Sequence, residues 1–496
     1  MLADRLSQKT SVAAVYVLAM FMSIMDVTIV NVALPRLGMQ FGVPAAQVDT
    51  VVVGYLVSLA VFMPASGWLG DRFGTKRVML AALVVFTGAS ALCGAAHSLG
   101  QLVVFRVVQG AGGGMLAPVG LAMLFRVFPQ AERVRAARIL VVPTALAPAI
   151  GPVLGGLLVT DLSWRWVFYV NVPIGIAGAA FGMAFLREQP RGKAVRFDLA
   201  GFLLSGTGFG ALMYALSEGP AKGWTSPAII ASAAVGLTAI AALVWVELAV
   251  REPMLDLRLL RNRLFRTTTG ALIVSTAAFL GSLFLVALFY QDGFGVSPLQ
   301  SGLSTFPEAL GIMAGSQLAG RLYPRYGPRR LMTVGLIGVA VTLALTAAVP
   351  FTASLWQMRG YMLALGLCQA QVFVPAQAAA FATITPAATG DASTIFNAGR
   401  QLGGAFGVAV LSTVISAIGV VHRVGGAERP DAAAYHAAFL AAAGIALVGA
   451  LWASAIKDAD AAPTMRARPA AGEAVPGSRA RRTRRRLIAN LRRSED

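Results

Sequence analysis

The chain has 496 residues, of which 57% are hydrophobic and 13% are charged, and its mean hydropathy is +0.71. A soluble protein of this length needs a far more polar surface, so the composition excludes that class. Apolar runs of about 20 residues, long enough for a helix to cross the hydrocarbon layer, recur along the whole chain. We therefore predict an all-α polytopic membrane protein.

The formal charge of +19 would suggest nucleic-acid binding in a soluble protein, but here the basic residues separate by side of the membrane. With fourteen spans drawn, 33 of the 41 Lys and Arg residues fall on one side. The positive-inside rule makes that side cytoplasmic, which predicts a cell-membrane protein with both termini in the cytoplasm. The predicted spans are 12–34, 47–68, 78–97, 101–123, 139–159, 165–186, 198–217, 227–248, 268–290, 299–320, 331–349, 355–378, 393–420 and 434–456.

Span one contains Asp26, followed by Asn31 near its outer end. An ionisable residue well inside a spanning helix costs roughly 2.5 to 3.5 kcal/mol on insertion scales, so Asp26 is expected to face a cavity or a partner. The alternative is an aspartate close enough to the surface to be hydrated.

A basic, glycine-containing stretch follows span two and returns in altered form later in the chain. Gly67–Arg77 is repeated at Gly320–Arg330, 253 residues on, and Arg106 is repeated as Arg359 at the same offset. Two signals with one period indicate two related halves. The predicted parts are a cytoplasmic amino end (1–11), a first half (12–186), connectors with two inserted spans (187–267), a second half (268–456) and a basic tail (457–496).

The repeated stretch predicts a cytoplasmic gate made by Gly67, Asp71, Arg72, Gly74 and Arg77. Asp71 is expected to approach the positive end of the next helix and its free backbone donors. The second copy has a proline in the place of this aspartate, so we expect only the first half to have the carboxylate.

Span four carries Arg106 and Gln109, followed by glycines up to Gly114. No strand precedes these glycines and no Lys-Ser/Thr follows them, so a phosphate loop is not supported. Small residues in a membrane helix more often allow close helix packing. Arg106 and Asp26 are predicted at comparable depth, where they could pair.

Span five contains five residues that bend a helix or remove bulk from it, which predicts a hinge or a packing seam. They are Pro148, Gly151, Pro152, Gly155 and Gly156.

The second half offers Glu308 in span ten and Arg400 in span thirteen. Glu308 is a second candidate for proton transfer, and Arg400 could bind a carboxylate, a substrate anion or helix-end carbonyls. The glutamines of span twelve are equally compatible with interhelical hydrogen bonds and with lining a cavity. They are Gln369, Gln371 and Gln377.

We expect no metal and no cofactor, because the two cysteines lie in separate apolar spans and the three histidines are scattered near the outer boundary. These residues are Cys93, Cys368, His97, His422 and His436. The tail has eight arginines between Arg479 and Arg493. Its composition is typical of a disordered segment drawn to anionic lipid of the inner leaflet, and nucleic acid is a weaker alternative.

Three of these stretches resemble signatures of the major facilitator superfamily. Gly67–Arg77 resembles its loop motif, Arg106–Gly114 its fourth-helix arginine motif, and Gly151–Gly156 its antiporter motif, although Ala147 stands where a first glycine is usual.

Within that superfamily, Asp26–Pro35 is similar to the first-helix motif of the fourteen-span drug:proton antiporters, and the stretch from Trp164 through Asn171 to Pro173 fits the same family. The resemblance covers roughly residues 12 to 456. It implies two six-helix bundles related by an axis along the membrane normal, with the inserted pair at the periphery. It also implies export of hydrophobic, often cationic compounds driven by a proton gradient.

The resemblance therefore predicts a monomeric transporter rather than an enzyme, with protons and a small molecule as its partners. Asp26 and Glu308 are the predicted proton sites, and Arg106 the regulator of Asp26. Two alternatives remain open: a proton-coupled solute symporter on the same fold, and a membrane sensor or scaffold that does not transport.

Overall fold

A computed structural model of the protein describes residues 6–189, 197–250, 253–419, 421–424, 427–430 and 432–465. The predicted arginine-rich segment of the tail lies outside these residues. Nearly all the described chain is helical, because a backbone within lipid must satisfy its hydrogen bonds internally.

The first half contains nine helices. They are α1 (Gln8–Phe41), α2 (Ala45–Val48), α3 (Thr50–Phe62), α4 (Ala65–Phe73), α5 (Thr75–Gly94), α6 (Leu99–Val127), α7 (Arg133–Asp161), α8 (Trp166–Tyr169) and α9 (Asn171–Phe185).

Two inserted helices and the second half follow. The inserted helices are α10 (Leu199–Lys222) and α11 (Pro227–Ala249). The second half comprises α12 (Arg263–Leu288), α13 (Pro298–Ala347), α14 (Leu355–Ala380), α15 (Thr389–Ile418), the antiparallel strands β1 (Val421–Val424) and β2 (Ala427–Pro430), α16 (Ala432–Ser454) and α17 (Ala462–Met465). The short hairpin is a feature that the hydropathy pattern does not predict.

Helix starts follow local capping chemistry. The side chains of Ser7, Ser98 and Asn262 accept hydrogen bonds from backbone N–H groups in the first turns of α1, α6 and α12. Ser297 forms a full capping box with Gln300 at the start of α13. Each cap satisfies a donor that the helix itself cannot pair.

By length and hydropathy, twelve helices of the described residues can cross a membrane, or thirteen if α3 and α4, bent by 54°, count as one span. Helix α13 has 50 residues, about 75 Å at 1.5 Å per residue, against a hydrocarbon layer of about 30 Å. Gly327 interrupts it with φ 73°. Division at Gly327 gives each of the fourteen predicted spans a helical counterpart.

The two halves repeat the same helix pairs. Helix α1 packs against α7 and α9 as α12 packs against α15 and α16, and α5 packs against α6 as α13 packs against α14. Close packing at glycines is repeated as well. In the first half Gly113 lies against Tyr55, and in the second half Gly366 lies against the backbone of Glu308. Gly366 and Glu308 follow Gly113 and Tyr55, respectively, by the same 253 residues. The internal repeat is therefore a repeat of packing.

The halves meet near the motif Gly67–Arg77. Phe125 on α6 stacks on Phe381, just beyond α14, with ring centroids 4.5 Å apart, and one hydrophobic core cluster contains residues of both halves. Helix α10 contacts α3 of the first half and α15 of the second. Helix α11 packs mainly on α10 and buries few side chains, which places it at the periphery.

Candidate functional site

A buried ion pair lies in the first half. Nη1 of Arg106 on α6 donates to Oδ2 of Asp26 on α1 at 2.5 Å, and both side chains are 0% exposed. The predicted pairing of these two residues is thus present. Because both charges are removed from water, their attraction is much stronger than that of a surface pair.

Two amides complete the coordination of the carboxylate. Gln109, one turn along α6 from Arg106, donates to Oδ1 of Asp26 at 2.9 Å and accepts from Arg106 at 2.8 Å. Asn171, at the start of α9, donates to the same Oδ1 at 2.8 Å and to Oγ of Ser90 at 3.2 Å. We call Asp26, Arg106, Gln109, Asn171 and Ser90 the Asp26 cluster.

The arginine is also held by α3. Its Nε donates to the carbonyl of Val51 at 3.2 Å, and its guanidinium carbon lies 4.1 Å from the ring centre of Tyr55. Its Nη2 and Oδ1 of Asn171 have no hydrogen-bond partner among the described residues. The cluster therefore retains one unused donor and one unused acceptor beside the ion pair.

Asn31 is not part of this cluster. It is exposed on α1, five positions beyond Asp26. The asparagine that does contact Asp26 is Asn171, which the sequence singled out only as part of a family motif. Its position after an aromatic belt gave no indication that it would contact span one.

Glycines bring the neighbouring helices close to the cluster. A methyl group at Gly110 or Gly114 of α6 would collide with the backbone of α3. A methyl group at Gly151 of α7 would collide with Thr28, and one at Gly155 would lie 3.0 Å from Ile29, both on α1. Gly156, in contrast, has nothing within 4 Å.

Helix α7 is continuous through its prolines, Pro148 and Pro152 included. The predicted seam is therefore a packing surface on α1 beside Asp26, and its hinge role stays a prediction.

The partner of Asp71 is Arg126, which the sequence did not single out. Nη2 of Arg126, at the end of α6, donates to Oδ1 of Asp71 at 2.6 Å, and both side chains are largely buried. Arg72 and Arg77, also predicted for the gate, are exposed.

The expectation that Asp71 caps the following helix is wrong. Glu188, beyond α9, holds that place: its Oε1 accepts from the backbone N–H of Lys76 at 3.1 Å, and its carboxylate lies against Gly74. Gly74 has φ 98°, a region that favours glycine. Asp71 lies in α4, before the helix break at Gly74, and it faces α6 instead of the start of α5.

The second half repeats this cap. Gly327 has φ 73°, and Asp458, beyond α16, lies against it and accepts from the backbone N–H of Arg329 at 2.9 Å. In both halves a carboxylate that follows the last helix of the half thus binds the free N–H groups of a helix start.

The gate region joins the two halves. Nε of Arg126 donates to the carbonyl of Pro386 at 3.2 Å. The hydroxyls of Ser66 on α4 and Thr394 on α15 lie 3.1 Å apart. The molecule is therefore closed on the side of the motif Gly67–Arg77.

Glu308 is 2% exposed on α13, and its Oε1 has no hydrogen-bond partner among the described residues. Unlike Asp26, it is bonded to no arginine of the described residues. Two of the nearby glutamines form interhelical hydrogen bonds: Gln369 donates to Ser275 and Gln371 to the carbonyl of Gly315, each at 2.9 Å. These bonds favour the packing interpretation for both glutamines.

Arg400 is half-buried on α15 and interacts electrostatically with Tyr16 of α1 in the other half. It thus faces the junction of the two halves, as a residue of a central crevice would.

A cleft of about 460 Å³ lies on another face of α3, between α3, α6 and α10. Its lining includes five valines together with Glu218 and Lys222, and it contains none of the predicted coupling residues.

The fold and the buried charges define a polytopic membrane transporter, and the chain belongs to the Major Facilitator Superfamily, whose family profile matches residues 16–289 and 267–492. It is 34% identical over 411 residues to "Multidrug resistance protein B homolog" of Mycobacterium tuberculosis, covering 82% of this chain and 76% of that protein. It is 30% identical over 426 residues to "Putative multidrug resistance protein MdtD" of Serratia proteamaculans, covering 85% and 87%. The fold is similar to that of the human organic anion transporter MFSD10, with a TM-score of 0.64 at 16% identity, covering 90% of this chain and 100% of that one.

Proposed function

We propose that the protein is a proton-coupled antiporter that exports drug-like, often cationic or hydrophobic compounds across the cell membrane by alternating access. The names of the relatives support the substrate class, since these proteins are described as multidrug resistance proteins. The distribution of Lys and Arg supports a cytoplasmic location of both termini. No cofactor is required, because the proton gradient supplies the energy.

The Asp26 cluster supports the coupling role. When Asp26 is ionised, Arg106, Gln109 and Asn171 hold it with three donated hydrogen bonds. A proton on the carboxyl group removes its charge and one acceptor site, so the attraction between α1 and α6 falls steeply in this dry environment. Binding and release of one proton would then change how firmly α1 is held.

The packing around α1 supports a route from this proton to the cargo. Helix α7 lies directly on α1 through Gly151 and Gly155, and α7 also contacts α13 and α14 of the second half. A shift of α1 relative to α6 would therefore be passed to the junction of the halves. Opening of the crevice on the gate side would require the Asp71–Arg126 pair to separate from α15.

The observation that carries the proposal is the Asp26–Arg106 pair at 0% exposure. The test is pH-driven efflux in inverted vesicles by Asp26→Asn, which removes the titratable group with little change in shape. We expect transport at least about tenfold slower, which corresponds to about 1.4 kcal/mol. Asp161→Asn, at the exposed end of α7, is the matched control and should keep normal transport.

Unchanged pH-driven efflux in Asp26→Asn would remove Asp26 from the coupling role. Substrate that accumulates inside cells under an inward proton gradient would instead identify a symporter.

A further inference from the structure

A further buried carboxyl group lies on the inserted helices. Glu247, in the last turn of α11, is 0% exposed. Most of α11 is exposed, and its few other buried residues are apolar or glycine. A peripheral helix that buries a glutamate needs something to stabilise that group.

The immediate surroundings of Glu247 contain another carboxylate. Asp198 caps α10 by accepting the backbone N–H of Gly201 at 2.8 Å through Oδ1. A methyl group at Gly201 would lie 2.5 Å from Oδ2 of Asp198 and 2.7 Å from Oε1 of Glu247, so both carboxylates flank the same glycine. Each has a buried oxygen without a hydrogen-bond partner among the described residues, Oδ2 of Asp198 and Oε2 of Glu247.

The elements packed around the pair add acidic groups. Glu247 accepts one backbone bond, from Leu255 at 3.3 Å. Asp256 caps the short helix Leu257–Arg261 and interacts electrostatically with Glu247.

Arg258, a cation close to this pair, forms its hydrogen bonds with backbone carbonyls. Arg258 donates to the carbonyls of Leu248 at 3.2 Å and Val250 at 2.8 Å, and the structure gives it no bond to Glu247. Glu247 is thus buried and Asp198 half-buried, and this cation does not neutralise them.

We propose that Asp198 and Glu247 form a second proton-binding site, in which the two carboxyl groups share one proton. Both carboxylates flank Gly201 and Glu247 is 0% exposed, so two ionised groups here would repel one another, and one of them retains a proton. A shared proton also supplies a hydrogen-bond donor to this pair, in which Oδ2 of Asp198 and Oε2 of Glu247 have no partner among the described residues. The site does not depend on the transport function proposed above.

The site adjoins the gate through α15. Asp391 interacts electrostatically with Glu247 and with Asp71, and its Oδ1 would lie 3.3 Å from a methyl group at Gly67 of α4. Loss of the shared proton adds a negative charge to this acidic region. The contact between α4 and α15 is thereby weakened as the pH at this side rises.

The test compares E247Q with wild type by infrared spectroscopy and thermal unfolding of the full chain in detergent. The wild type should have a protonated-carboxyl band at neutral pH that E247Q reduces. Its melting temperature should fall as the pH rises above about 4.3, the pKa of an unfolded glutamate, because the folded pair holds a proton that the unfolded chain has already released, and the fall should end once the pair itself ionises. E247Q should lose much of this fall. The control is E218Q on α10, whose glutamate already pairs with Lys222 at 2.9 Å.

If E247Q does not fold, D198N removes the other half of the pair and should have the same two effects. A carboxyl band and a melting profile that neither variant changes would overturn the proposal. Sodium that raises the melting temperature of the wild type but not of the variants would also overturn it, because the site would then hold a metal cation.

Discussion

At the scale of single residues, the same chemical group has different roles according to its neighbours. Asp26 is bonded to an arginine and two amides, whereas Glu308 is equally buried but has an unpartnered oxygen. Asp71 pairs with Arg126 across helices, and Glu188 occupies the helix start that Asp71 was expected to cap. These differences are set by position in three dimensions.

The Asp71–Arg126 pair predicts a specific coupling. Asp71→Asn and Arg126→Gln should each lower stability by about 1.5 to 3 kcal/mol, since each leaves a partly buried charge unpaired. The double variant should be little worse than either single one. Melting temperatures of the three variants measure this coupling.

Arg72→Gln is the control, because Arg72 is exposed next to Asp71 in sequence. Its effect should be small and additive with that of Asp71→Asn. Strong coupling to Arg72 and none to Arg126 would contradict the structure.

At the scale of helices, the glycines of α6 and α7 decide how closely α1 and α3 approach. The proline and glycine pattern of α7 combines positions with different surroundings: Gly151 abuts Thr28, whereas Gly156 faces open space. A motif that acts only as a flexible hinge would depend on both glycines. A motif that acts as a packing seam depends on Gly151 alone.

This difference gives a matched pair of variants. Gly151→Ala should destabilise the protein by about 1 to 3 kcal/mol, because the added methyl forces α7 away from α1. Gly156→Ala should be neutral or slightly stabilising, since alanine favours the helix by about 1 kcal/mol over glycine. Thermal melting in detergent distinguishes them, and equal losses would indicate that the backbone freedom of both glycines matters.

At the scale of the whole molecule, two halves share a packing scheme but not a site. Asp26 is followed 253 residues later by Phe279, and Arg359 stacks on Trp356 with its guanidinium carbon 4.4 Å from the ring centre. The ion pair is therefore confined to the first half. The halves contact one another through α4, α6, α7, α13, α14 and α15.

Closure on this side predicts a cross-link. Cysteines in place of Ser66 and Thr394, whose hydroxyls lie 3.1 Å apart, should form a disulfide under mild oxidation in a background without Cys93 and Cys368. The disulfide should stop transport, because it prevents α4 and α15 from separating. A reductant should restore transport.

The single-cysteine variants under the same oxidation are the controls and should keep transport. Full activity of the cross-linked protein would mean that this contact does not open during the cycle.

The sequence by itself determined the class of protein, since apolar runs of membrane length have one stable backbone solution, the helix. It also determined the two-half organisation through the repeat, and the pairing of Asp26 with Arg106 through their similar depth. These inferences depend on hydropathy, periodicity and rise per residue, all of which are local.

Only the tertiary structure decided which side chains meet. Asn171 reaches Asp26 from α9, Arg126 reaches Asp71 from the end of α6, and Asp198 and Glu247 flank the same glycine of the inserted helices. Each of these contacts joins segments that are distant in the chain, and it depends on the rotation of each helix about its axis. That rotation is set by packing against neighbours, and no local pattern of residues encodes it.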